Sequence, residues 1–176
     1  MSHAAPTGIH ENWTLPDGTA ATLRPIRSAD MELERAFVRN LSPQSKFKRF
    51  MGELKELSPN ELYDFTHPDH EHEAAYVVIR STVAGEEEIG VGRFAAGRDS
   101  DTCEFAITIA DAWQGKGLGK RLINALIRDA KGRGLKRIEG YVLAANARML
   151  DFCRGLGFAI EASRDDATVR VVHRDL

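Results

Sequence analysis

The chain has 176 residues, 43% of them hydrophobic, and its 24 basic and 26 acidic residues leave a formal net charge of −2. That length suits one domain with a single substantial core, and the near balance of charge excludes nucleic acid or an anionic membrane surface as a general partner. Apolar runs such as 74–79 are far too short to span a bilayer, no basic and apolar leader precedes Trp13, and two cysteines in a chain this size point to a reduced, cytoplasmic setting.

Residues 1–12 are small, polar and unpatterned and read as a loose terminus, which leaves 13–176 as the expected domain. Asp17-Gly18 signals a turn, and 19–27 alternates as a first strand with Leu23 and Ile26 as its apolar members. Ser28 is placed to cap a helix bearing Met31, Leu33, Phe37 and Leu41. Ser42-Pro43 and Ser58-Pro59 each set a capping hydroxyl before a proline that suits the first helical turn, and Glu61, three beyond Ser58, completes a capping box. A broken helical region is thus expected over 28–66, forming one wall of a substrate cleft. Over 67–73, histidines alternate with carboxylates, and a strand there would put His70 and His72 on one face. No cysteine joins them and no helical histidine spacing appears, so a solvated loop is the reading and no metal site is expected.

Strands are expected over 74–81 and 88–97 around a turn at 84–87, with 103–110 the third of the meander. Leu118, Leu122, Ile123, Leu126, Ile127 and Ala130 recur at helical spacing and give 118–131 an apolar face to lay on that sheet. Gly132 and Gly134 end the helix. A strand over 136–142, a helix over 146–154 with Met149, Leu150 and Cys153 on one face, and a last hairpin from Gly157-Phe158 through 169–173 complete an α+β order with a mixed sheet.

Between the third meander strand and the long helix lies Gln114-Gly115-Lys116-Gly117-Leu118-Gly119-Lys120. Glycines at every second position let backbone N–H groups turn inward, the helix adds its positive end, and Lys116 and Lys120 add full charges, so a diphosphate is the natural guest. A Walker loop would need Ser or Thr after Lys120, where Arg121 stands, and a dinucleotide fingerprint would need G-x-G-x-x-G on the first strand of a parallel unit. Both fail. The alternative to a cradle is an ordinary glycine-rich turn.

Gln114 to Gly119 resembles the coenzyme A pyrophosphate loop of the GNAT superfamily of N-acetyltransferases, Gln/Arg-x-x-Gly-x-Gly/Ala, and the order of elements is similar to that of GNAT domains over most of the chain. Asn146 with Leu156-Gly157-Phe158 resembles the family's second signature. Thr22 to Arg27, Asn40 to Ser45, Glu104-Phe105-Ala106 and Asp111 to Gly115 resemble the catalytic domain of bacterial protein lysine acetyltransferases. The resemblance implies a mostly antiparallel GNAT sheet flanked by helices, acetyl-CoA as cosubstrate without a metal, and an amine acceptor such as a protein lysine, with a homodimer by edge-strand pairing as one arrangement the family uses. It further implies that Gln114, Gly115, Lys116, Gly117, Leu118, Gly119 and Lys120 hold the diphosphate and that backbone amides from Ile107, Thr108 and Ile109 face the thioester.

An amine with a pKa of about 10.4 is neutral at pH 7 only about once in two or three thousand, a penalty of about 4.6 kcal/mol, so the site needs a base. The resemblance places that role on Glu104, which would need partial burial to raise its pKa or a water to relay the proton. A solvent-facing carboxylate on a half-exposed strand is the other reading. Asn146 suits a contact to the pantetheine arm or a helix cap. Where many GNAT enzymes carry a tyrosine that protonates the thiolate, this chain has Cys153, which suits a small core residue, and no protein acid is assigned. Transfer to a small amine (an antibiotic, polyamine or amino acid) and a non-catalytic acyl-CoA-binding sensor are the competing functions.

Overall fold

A computed structural model describes residues 8–176. In chain order the elements are β1 (Glu11–Thr14), β2 (Ala20–Pro25), α1 (Met31–Asn40), α2 (Pro43–Phe50), α3 (Pro59–Thr66), β3 (Glu73–Thr82), β4 (Gly85–Ala96), β5 (Thr102–Ile109), α4 (Leu118–Gly132), β6 (Arg137–Leu143), α5 (Ala147–Gly155), β7 (Ala159–Ala162) and β8 (Val169–Asp175). They form one eight-stranded sheet in the order β1-β2-β3-β4-β5-β6-β8-β7. All neighbours are antiparallel except β5 and β6.

Alternation along β3 sends Tyr76 and Val78 to the α4 side and Ala75, Val77 and Ile79 to the α1 side, so a strand covered on both faces reads as one apolar run. Leu118, Leu122, Ile123 and Leu126 of α4 fill the first core and Phe37, Val38 and Leu62 the second. Ser42 and Ser58 cap α2 and α3 as expected, each accepting the N–H three residues on, and Glu61 closes its box on the Ser58 N–H.

Two expectations are corrected. Glu11 and Asn12 are not part of a loose terminus but begin β1, pairing with Leu23 and Thr22 of β2; residues 1–7 of that stretch lie outside the described residues. Ser28 opens a single 3-10 turn rather than capping α1, and Asp30 instead receives the Arg27 N–H and two bonds from the Arg24 guanidinium at 2.7 and 2.9 Å. The loop reading of 67–73 agrees with the structure for His70 and His72. They sit in the turns before β3, where His72 bonds Asp69 and the donors that gather within 4.8 Å are Asp69, Glu71 and His72. No helix among the described residues is long and apolar enough to cross a membrane.

The feature that makes a site is the parting of β5 from β6. β5 pairs with β4 along nearly its whole length, from Cys103 to Ile109, but with β6 only from Thr102 to Glu104 against Arg137 to Glu139. At the fork the Phe105 ring occupies the space beside Gly140: a β-carbon there would come within 2.8 Å of its Cε1. Past that wedge, every second N–H of β5 points away from β4 into the gap.

On the α1 side of β4 lies a buried acid pair. Glu88 is 4% exposed with neither carboxyl oxygen paired among the described residues, and Glu34 beside it is 1% exposed and reaches the Arg93 guanidinium at 3.3 Å. Burial, then the neighbouring Glu34 charge, pushes the Glu88 carboxyl well above the usual carboxylate range despite Arg93. A carboxyl whose pKa is raised by folding costs stability as pH climbs from its unfolded value, about 4.3, toward the folded one. Glu88→Gln, which mimics the protonated form, should therefore melt above the parent at pH 8, at about 2–4 °C per kcal/mol. The difference should close as the pH of the scan is lowered toward about 4.

Candidate functional site

A cavity of about 500 Å³ occupies the gap between β5 and β6 and extends under α2 and over the start of α4. Ile107, Thr108 and Ile109 line it from β5, and Gly140, Tyr141 and Val142 from β6. Phe152 of α5 closes one side. A narrow apolar arm can thus thread between the strands and accept hydrogen bonds from the free edge of β5.

The glycine-rich loop bounds one end. Gly115 and Gly117 take positive φ values of +73° and +85°, and Gly117 is the N-cap of α4 with no side-chain capping bond. The first N–H groups of a 15-residue helix are consequently left for a ligand, with the positive helix end behind them. Gly115, Gly117, Gly119 and Lys120 line the cavity; Lys116 is exposed outside the lining and the Leu118 side chain is buried in the core. Gly119 is a packing residue, since a β-carbon there would lie 3.1 Å from the Phe152 ring. Gln114 spends its side-chain amide on Ser45 Oγ and the Ile109 carbonyl at 3.3 and 3.1 Å, tying the loop to α2 and β5.

That tie is reinforced by Asp111, which accepts the Ser42 N–H and the hydroxyls of Ser42 and Ser45 at 2.7–2.9 Å. Partial burial alone would raise the Asp111 carboxyl, but these donors outweigh it and hold the group below the usual carboxylate range. Arg148 from α5 leans over the loop, its guanidinium 3.4 Å from Gln114 Oε1 and 2.8 Å from where a Gly115 β-carbon would be. It adds a cation beside the free helix end.

Glu104 stands at the outer end of β5, exposed, directly before the lining residues Phe105 and Ala106. Partial burial, one of the two conditions named for a base at this position, is not met in the chain alone. Asn146 lines the cavity and caps α5, its Oδ1 accepting the Met149 N–H at 3.3 Å. Cys153 is 1% exposed in the core, and burial pushes its thiol up to about 11; Cys103, equally buried, is pushed up to about 12. Sequence reasoning passed over Ser45, Lys48, Arg49, Tyr141 and Arg148, all of which line the cavity. The Ser42-Pro43 start hinted at α2, but nothing local marks which face of α2 meets β5.

The profile of the acetyltransferase (GNAT) family matches residues 37–158. The chain belongs to the GNAT acetyltransferase family. It is 39% identical over 171 residues to the acetyltransferase PA5475 of Pseudomonas aeruginosa, covering 97% of this chain and 91% of that one. The GNAT domain of S. lividans PAT superposes with a TM-score of 0.83 at 28% identity, over 95% of this chain and 97% of that domain. An L-methionine sulfoximine/L-methionine sulfone acetyltransferase of Pseudomonas aeruginosa is 32% identical over 88 residues, 48% of this chain and 51% of its own. Membership implies acetyl-CoA as cosubstrate, and the cradle fits it: free helix N–H groups and the Lys120 and Arg148 cations for the diphosphate, a strand gap for the pantetheine arm.

Gly117→Ala should weaken coenzyme A binding about tenfold or more by calorimetry, because a side chain in the left-handed region costs about 1–2 kcal/mol and tilts the first turn of α4.

Proposed function

We propose that this acetyltransferase moves the acetyl group of acetyl-CoA directly to a primary amine, with a protein lysine as the favoured acceptor. The observation that carries the reading is Glu104, exposed on β5 directly before the cavity-lining residues Phe105 and Ala106 and itself outside the lining, open to an amine presented from outside on a long arm. A lysine delivers its nitrogen at the end of four methylenes, and a partner surface seated over Glu104 would withdraw the carboxylate from bulk water.

In the ternary complex Glu104, directly or through one water, takes a proton from the amine. The neutral nitrogen attacks the thioester carbon, the N–C bond forms, the C–S bond breaks with its electron pair leaving on sulfur, and the second proton that the nitrogen sheds as it becomes an amide passes through solvent to the thiolate. Negative charge on the carbonyl oxygen meets a backbone N–H from Ile107 to Ile109, a donor already in place before reaction. Asn146 orients the pantetheine arm while holding α5 in position. The buried free thiols fit a reducing cytoplasm.

A second reading, transfer to a small amino acid, draws on the relative that acetylates methionine sulfoximine and sulfone, which shares 32% identity over 88 residues. Both readings predict the same variant behaviour. Glu104→Gln should lower acetyl-CoA-dependent thiol release by about 10²–10⁴-fold with either acceptor class. Its coenzyme A affinity should stay within about twofold, since the residue touches no part of the diphosphate cradle. The residual rate should climb with pH as the amine deprotonates in solution. Undiminished turnover in this variant would remove Glu104 from the chemistry.

A further inference from the structure

The acceptor half of the cavity carries charge that the transfer step does not use. α2 packs against β5, and its first turn is bonded through Ser42 and Ser45 to Asp111, just past the β5 C-terminus. Each residue of a helix advances about 1.5 Å, so Arg49, four beyond Ser45, lies about 6 Å further along α2 from that anchor, near enough to Glu104 for the carboxylate to act on its charge. Its guanidinium lines the cavity and makes no ion pair or hydrogen bond among the described residues, resting 4.8 Å from the Phe50 ring centre.

Neighbouring charges sharpen the point. Arg93 is answered by Glu34 at 3.3 Å and the Phe65 carbonyl at 3.2 Å; Arg49 has no such partner. Burial, then the Arg93 charge, brings the Arg49 guanidinium down to about 10, against the pull of Glu34 and Glu104, and it stays protonated at neutral pH. Lys48 lines the same wall. Asp111 is the acidic member of the lining, and its oxygens are engaged by Ser42 and Ser45. On the β5 side Thr108 lines the cavity, and its buried hydroxyl has no partner among the described residues. An unpaired, partly desolvated cation such as Arg49 is costly and finds compensation in a bound anion, with the exposed Lys48 adding its charge.

We infer that the acceptor is an amine bearing a carboxylate, held by Arg49 and Lys48 while its nitrogen faces Glu104. The inference rests on the transferase reading and narrows it. A second ammonium, as on a polyamine, would meet two like charges. The carboxylate can be that of a free amino acid or an acidic side chain beside a target lysine in a protein.

Two matched acceptor pairs test this: methionine with methioninamide, and the capped peptides Gly-Asp-Lys-Gly and Gly-Asn-Lys-Gly, each assayed by thiol release from acetyl-CoA. In at least one pair the carboxylate member should have a kcat/KM about tenfold to a hundredfold higher, and the pair that responds identifies the source. Arg49→Gln should bring that ratio near one through KM, Arg49→Lys should keep part of it, and added salt should shrink it. Equal use within both pairs, a ratio unmoved in Arg49→Gln, or spermidine as the best acceptor overturns the inference. No turnover with any acceptor while coenzyme A still binds overturns it too and leaves the cofactor assignment standing. Failure to bind coenzyme A removes the reading beneath it.

Discussion

The site depends on a ladder that stops early. β5 and β6 share hydrogen bonds over three residues each and then diverge, and the divergence is enforced where the Phe105 ring fills the space a side chain on residue 140 would need. An unpaired strand edge in a protein interior leaves polar N–H groups that must find partners. Here they face the cavity, so one local failure of pairing opens the slot and leaves hydrogen-bond donors along its wall.

The slot has two ends, and a compact set of hydrogen bonds keeps them in register. Asp111 and Gln114 belong to the loop before α4, Ser42 and Ser45 to the start of α2, and the bonds among them tie the glycine-rich loop to the α2 wall of the cavity. Because α2 is anchored at its N-terminus, the position of Arg49 near its far end is a consequence of where the phosphate loop sits. The glycine-rich loop and the far end of the α2 wall are in this way coupled through one short helix.

Local chemistry was readable in the sequence to the extent that it is local. The caps at Ser42 and Ser58, the meander, the apolar stripe of α4 and the glycine-rich loop each follow from residues within a few positions of one another, and all stand in the structure. Long-range packing was not readable. Gly119 looks like a third cradle glycine until Phe152, brought in by α5, is seen against it. Four-residue β1 has too little pattern to announce itself; it is held by pairing to β2 and by Arg121 lying 4.2 Å over the Trp13 ring. Arg49 and Arg148 acquire meaning only from the elements they face, and Glu104 kept its position in the strand but not the burial expected for it.

The placement of the two cysteines has a practical side. Both side chains are sealed in the core, and their thiols are held near 11 and 12, so at neutral pH neither offers a nucleophilic sulfur to an electrophile in solution. A chromogenic disulfide added during turnover would then record the sulfhydryl liberated from the cosubstrate against a silent protein background, and would leave the catalyst unmodified while doing so.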